Sequence, residues 1–347
     1  MASLFTSHRI VDIASGLDHL LILTSNGRVY ASAASHKYPD KGQLGVPGLT
    51  WATRLKGRPY DSPLLVVTAG NLKIRKIVTG DYHSVLLDSL GKVWTFGDNS
   101  YGQLGFEYNP DTPFIDTPTE LLLQSLYPGG IAANCIDIAA GGANSFYMVD
   151  AVNLQDGEIT ADVWASGRGL WGELGNGKWT HVQGKPTKVK ALSGLIECRF
   201  ALQVRNFGGP NFNPTDDETS NSVRPIRIAY IAVGGSHIAA VLDNKTNTKS
   251  ASRGSAFSGR DVLWWGNNEF CQLGNGKRNN MNVPSYFALL PFWRERLQVE
   301  PEGQQVIPTA RLQVAPKQNV TLVGGREKEV EQRVVAGRGV SGIYSRV

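Results

Sequence analysis

The chain has 347 residues, 41% apolar and 19% charged, with 39 glycines, 17 prolines and 3 cysteines. This supports a sizeable core and excludes a disordered tail or long coiled coil, while Cys135, Cys198 and Cys271 lie too far apart for a disulfide framework or a zinc finger. The net charge of +5 is spread along the chain, which points away from nucleic acid, and no apolar run nears the ~20 residues of a membrane span.

The first nine residues, Met1 to Arg9, hold no hydrophobic signal core. A phrase then begins that recurs five times. Its first copy is Ile13-Ala14-Ser15-Gly16-Leu17-Asp18-His19, and its second Ile77-Val78-Thr79-Gly80-Asp81-Tyr82-His83-Ser84. The third runs from Ile138 through Gly141 and Asn144 to Ser145, the fourth from Ile231 through Gly234 to His237, and the fifth from Val334 to Ser341. The first four copies lead into an apolar run, a turn, and a second run with an aromatic: Tyr30, Trp94, Trp164 and Trp264. A third phrase follows, Lys41-Gly-Gln-Leu-Gly45, Tyr101-Gly-Gln-Leu-Gly105, Trp171-Gly-Glu-Leu-Gly175 and Phe270-Cys-Gln-Leu-Gly274. The closing glycines, Gly45, Gly105, Gly175 and Gly274, are 60, 70 and 99 residues apart.

Each unit predicts three or four short strands. Runs such as Leu20-Leu21-Ile22-Leu23 are apolar at consecutive positions, so both faces of the strand must be covered. Small sheets stacked radially satisfy this, giving an all-β propeller, with a solenoid as the other stacking. Gly16, Gly80, Gly141 and Gly234 then mark a turn with φ above zero or a close backbone approach.

These phrases resemble the regulator of chromosome condensation repeat family, whose fold is a seven-bladed propeller. One domain is expected over residues 1–347. Repeats fall near 9–75, 76–135, 136–228 and 229–332, with a half repeat at 333–347. Long insertions are expected near 48–70, 106–131, 181–229, 244–260 and 278–330. Four and a half units are fewer than seven, and both ends carry the same half, so neither completes the other's blade. The expectation is an incomplete ring with blades missing upstream, the alternative being divergent blades hidden in the insertions, and with Leu20–Leu23 and Val334–Val340 uncovered at its two ends.

The chemistry-bearing motifs mostly read as architecture. His19, His83 and His237 share one slot, which Asn144 fills in the third copy. Asparagine can hydrogen-bond but not titrate, so the slot is structural, with each side chain expected to bond backbone in its own blade. Gly172 to Lys178 fits a phosphate-loop spacing, but Trp179 stands where Ser or Thr must hold magnesium. Cys271 replaces a repeat glycine and is expected to be a packed small residue. Thr117-Pro118-Thr119-Glu120 forms a capping box that predicts a short helix, where the family resemblance implies a strand. Phe292, Trp293 and Arg294 form an aromatic–arginine cluster suited to a protein interface or, equally, to a plug over a propeller face.

No catalytic motif, metal set or cofactor site emerges, so the chain reads as a non-enzymatic scaffold for an unidentified protein partner, without nucleic acid. By resemblance, its long units and final Ala-Gly-Arg-Gly-Val-Ser-Gly-Ile-Tyr phrase are similar to fungal mitochondrial members of the family. Those imply inner-membrane association, peripheral or through upstream sequence, and a role in assembly of respiratory complex III. The alternative is a nuclear exchange factor for a Ran-like GTPase, although that family's wedge loop has no residue-by-residue match here.

Overall fold

The computed structural model describes residues 8–54, 56–57, 59, 61–66, 72–198, 223–244, 246–249, 256–287, 312–321 and 325–347. Glycine- and Asp-rich turns cut the chain into short strands, which pair antiparallel with their neighbours in sequence. The first sheet holds β1 (Ile10–Ser15), β2 (His19–Thr24), β3 (Val29–Ala33) and β4 (Leu64–Leu65) in that order. The second holds β5 (Ile74–Thr79), β6 (His83–Asp88), β7 (Val93–Asp98) and β8 (Phe114–Leu121). The third holds β9 (Ile131–Gly141), β10 (Asn144–Asn153), β11 (Ile159–Gly169) and β12 (Thr180–Lys188).

A separate hairpin, β13 (Ile196–Cys198) with β14 (Val223–Pro225), precedes the fourth sheet. That sheet is built on β15 (Ile228–Val233), β16 (His237–Leu242) and β18 (Ala256–Gly266). To β18 are added β17 (Thr246–Lys249), β19 (Met281–Tyr286) and β20 (Gln313–Val314). The fifth sheet has three strands, β21 (Gln318–Thr321), β22 (Glu327–Ala336) and β23 (Ser341–Arg346). The architecture is an all-β propeller arrangement, as the repeats predict. The described residues form five blade-like sheets where the family resemblance implies seven.

The strand period decides where the core lies. On β6 the side chains of Val85 and Leu87 pack toward the third sheet, and Leu86 toward the first. Apolar residues at consecutive positions therefore fill two interfaces at once. Four separate clusters result, one per seam. Leu21, Ile77, Leu86 and Phe96 lie between the first and second sheets. Val85, Ile138, Tyr147 and Trp164 lie between the second and third. Phe146, Leu174, Ile238 and Trp265 lie between the third and fourth, and Val241, Trp264 and Val334 between the fourth and fifth.

Two expectations need correction. The capping box at Thr117 does not start a helix: it lies within β8, followed by a single 3-10 turn at Leu123–Leu126. Strand pairing with β7 overrides the local signal. Pro118 is tolerated because β8 is the edge strand and its register slips between Thr119 and Ile115. Nor do Leu20–Leu23 lie open, and of Val334–Val340 only Val334 is covered, Val335 being 44% exposed. Leu21, Leu23 and Val334 are each no more than 3% exposed. The open positions are on β1, where Ile13 is 60% exposed, and beside β23, where Val340 is 71% exposed.

Candidate protein-interaction face

Antiparallel order places the β1–β2 turn and the loop after β3 at the same end of the first sheet, and likewise in its repeats. One end of the molecule therefore collects the first-phrase turns and the third-phrase loops. The loops share one construction. Lys41, Tyr101, Trp171 and Phe270 each donate their backbone N–H to the side chain two residues on, at 2.7–2.8 Å. That side chain is Gln43, Gln103 or Gln272, but Glu173 in the third sheet. The loops close on glycines in the left-handed region, Gly45, Gly105, Gly175 and Gly274, with φ of 65, 85, 65 and 69°. The residue replacing a loop glycine, Cys271, adopts φ 60° and is exposed, so it is not packed as expected.

The histidine slot links neighbouring sheets. Nε2 of His19 lies 3.0 Å from Oγ of Ser84, that of His83 2.8 Å from Ser145, and that of His237 2.9 Å from Ser341. Each serine gives its own proton to the backbone carbonyl of Gln43, Gln103 or Gln272. The hydroxyl must then accept, so each imidazole carries a proton on Nε2. Burial holds His19 down to about 3 and His83 down to about 4, and lowers His237 as well. The bond reaches the next sheet and not, as the sequence suggested, the histidine's own strand entry. The first-phrase glycines are needed for close approach. A Cβ on Gly80 would lie 2.0 Å from His83 Cε1 and 2.7 Å from the Gly142 carbonyl, and Gly16, Gly141 and Gly234 are similarly crowded. None of these four has a positive φ.

The third–fourth seam is built differently. Asn144 stands in the histidine slot and turns back to the Arg168 carbonyl of its own sheet. Ile238 occupies the serine slot, and Trp265 Nε1 donates instead to the Glu173 carbonyl at 2.6 Å. Elsewhere the first-phrase turns are joined by backbone bonds, Leu17 N–H to Asp81 O, Asp81 N–H to Gly142 O and Gly235 N–H to Gly337 O. Here the Arg168 guanidinium reaches the Gly235 carbonyl at 3.4 Å and pairs with buried Glu173 at 3.0 Å. Burial raises the Glu173 carboxyl, against the pull of Arg168. The sequence signal for this seam was a lone Glu among three glutamines; its partner Arg168 carried none.

The same end carries ring and cation contacts. Arg168 lies 4.5 Å over the Trp171 ring and 5.7 Å from that of Tyr101, and Lys41 4.4 Å over Tyr82 while pairing with Asp98 at 3.2 Å. Burial raises the Asp81 carboxyl, and Arg338 and Arg168 oppose it. Arg338 on the fifth sheet and Arg168 on the third thus act on one carboxyl from the second, so these turns face a common space. Leu170, Trp179, Phe270 and Val340 add exposed apolar surface at this end. Phe292, Trp293 and Arg294 lie outside the described residues. Of the neighbouring aromatics, Phe287 turns inward and stacks on Trp264, with ring centroids 6.5 Å apart.

The turns, loops and seams repeat in register with the sequence phrases. The family description "Regulator of chromosome condensation (RCC1) repeat" matches residues 10–32, 74–103 and 91–148. This is an RCC1-repeat chain. It is 27% identical over 203 residues to Protein FMP25, mitochondrial, of Saccharomyces cerevisiae, covering 53% of the RCC1-repeat chain and 33% of that protein. It is 35% identical over 289 residues to the Protein RCC2 homolog of Xenopus laevis, covering 83% and 46%. Yeast RCC1 (Prp20), solved bound to Kap60, superposes with a TM-score of 0.52 at 22% identity, covering 84% of this chain and 51% of that one. At that identity the likeness shows the RCC1 fold alone. The chain spans a third of FMP25 and about half of the other two.

Proposed function

We propose that this RCC1-repeat chain is a non-enzymatic scaffold that binds a protein partner through the end of the propeller carrying Tyr82, Tyr101, Arg168, Trp171, Phe270 and Arg338. The observation that carries this is the density of aromatic and arginine side chains on rigid loops at that end, a composition enriched at protein interfaces. The likeness to FMP25 supports a mitochondrial setting. The proposed role there is assembly of respiratory complex III at the inner membrane. Among the described residues no helix is long and apolar enough to cross a membrane, and the reading takes attachment as peripheral or through upstream sequence. The second reading is nuclear, as an exchange factor for a Ran-like GTPase. It draws on the fold shared with yeast Prp20, which is described with binding properties to Gsp1p and histones.

The test is fractionation of cells expressing the tagged full gene, followed by native electrophoresis of respiratory complexes after deletion. The proposal expects the protein with mitochondrial membranes and a loss of mature complex III. It also expects the doubly substituted Trp171→Ala, Arg338→Glu protein to fold yet fail to restore that complex. Recovery with chromatin, with stimulated nucleotide exchange on a Ran-like GTPase, would establish the second reading instead.

A further inference from the structure

The third sheet outreaches the second. From the first-phrase turn, β6 and β7 pair over five positions, His83 with Gly97 to Leu87 with Val93. β10 and β11 start level with them, Asn144 with Gly167, and pair over nine, to Val152 with Ile159. The last four pairs therefore overhang the second sheet, at the end away from the first-phrase turns. Strand alternation puts Thr160 and Asp162 on the same side as Trp164, and Ala151 on the same side as Tyr147. Trp164 and Tyr147 belong to the second–third cluster, so this side of the overhang faces the second sheet.

The overhang has a roof. The 3-10 turn Leu123–Leu126 is pinned to β9 by Gln124, whose side chain donates to the Ile131 carbonyl and accepts from the Ala133 N–H, both at 2.8 Å. Tyr127 follows and meets the Trp164 ring edge-on, with centroids 5.6 Å apart. A cavity of about 240 Å³ lies here, with Tyr127, Ile131 and Ala151 as its apolar lining and Thr160, Asp162, Lys188 and exposed Glu158 as its polar lining.

Its charges do not balance, since one ammonium faces two carboxylates. Tyr127 Oη donates to Asp162 Oδ2 at 3.0 Å, and Lys188 Nζ donates to the same oxygen at 2.7 Å. Oδ1 of Asp162 accepts from none of the described residues, although the residue is only 3% exposed. A carboxylate oxygen so enclosed gains from a donor. Lys188 shows what the walls tolerate: its Nζ lies 5.5 Å from the Tyr127 ring centroid and 5.3 Å from that of Trp164, within cation–π reach.

We infer that this cavity binds the tip of an aliphatic cation, a primary ammonium or guanidinium on a short carbon stem. Asp162 Oδ1 and Glu158 hold the charged head, and Ile131 and Ala151 pack on the stem. The volume is below the ~300 Å³ at which drug-sized pockets begin, which suits so small a group. The site lies at the opposite end of the third sheet from the protein-interaction face and does not depend on that reading. The same head group is carried by a free polyamine and by a Lys or Arg side chain of another protein.

The probes are putrescine and the peptide acetyl-Gly-Gly-Arg-Gly-Gly-amide, each titrated into the protein of residues 1–347 by calorimetry. Saturable one-to-one binding of at least one is expected. Tighter putrescine binding would identify a free polyamine as the source, and tighter peptide binding a protein side chain. Asp162→Asn should weaken binding at least tenfold and Glu158→Gln at least threefold. Lys188→Met, which removes the competing cation, should tighten it. Glu158 is exposed, so Glu158→Gln should keep the parent's melting temperature and decides the matter if Asp162→Asn does not fold. The inference is overturned if neither probe binds at millimolar concentration, or if Glu158→Gln leaves binding unchanged. It is equally overturned if Lys188→Met abolishes binding, since the cavity would then be an anion site.

Discussion

A buried imidazole that never ionises makes its seam sensitive to acid. His19 and His83 are held near pKa 3 and 4 in the folded protein, against 6.5 for a free side chain. Between those values the unfolded chain binds more protons, so stability is full above about pH 7 and is lost as pH falls from 6.5 toward 4. At pH 5 each histidine costs about 2 kcal/mol. Urea melts between pH 7.5 and 5 should show this slope, and His19→Gln with His83→Gln should flatten it; an unchanged slope would assign it to other groups. The opposing glycine is less replaceable than the histidine. Gly80→Ala forces a methyl into the His83 ring and the Gly142 carbonyl and should cost about 3 kcal/mol. His83→Asn gives up one buried bond to Ser145 and should cost about 1–2 kcal/mol. Thermal melts that reverse this order would contradict the close-approach account. Cys271 sits exposed at φ 60°, where glycine is at no disadvantage, so Cys271→Gly should stabilise by up to about 1 kcal/mol. A lower melting temperature for that variant would show the thiol is held by contacts.

Between elements, the four seams use two solutions. Three rely on a histidine–serine–carbonyl relay, and the third–fourth seam on the Arg168–Glu173 pair with Trp265. Removing one member of a buried pair leaves the other charge unpaired. Arg168→Ala should therefore cost about 3 kcal/mol, while Glu173→Gln, which restores the glutamine of the other loops, should cost under about 1 kcal/mol. The double variant should recover most of the Arg168→Ala loss in denaturant melts, and additive losses would mean the two side chains act apart. Sequence alone exposed the repeat because each loop needs the same glutamine and glycines locally, whatever sheet it belongs to. It could not expose the relays, because Ser84 and Ser145 lie more than 60 residues from the histidines they serve. It also misjudged Thr117-Pro118-Thr119-Glu120, whose helical signal is local while the β7 pairing that overrides it is not. Asp81, Arg168 and Arg338 fall in three different repeats, and only the stacking of the sheets brings them near one another.

Across the molecule, each apolar cluster belongs to two adjacent sheets and to no third. Phe96→Ala, in the first–second cluster, should cost about 3–5 kcal/mol and raise amide exchange mainly in β2, β6 and β7. Amides of β16 and β18 should keep their protection, and a uniform loss across all five sheets would show a single cooperative unit. This division also explains the uneven spacing of the closing glycines, at 60, 70 and 99 residues. A sheet meets its neighbour through a recurring set of strand contacts, to which the connecting peptide adds only a few residues, such as Val66, Leu123 and Leu192. The molecule behaves like masonry whose joints follow two patterns and whose mortar lines may be of any length. New sequence can enter between courses, acquire its own surface chemistry, and leave every joint as it was.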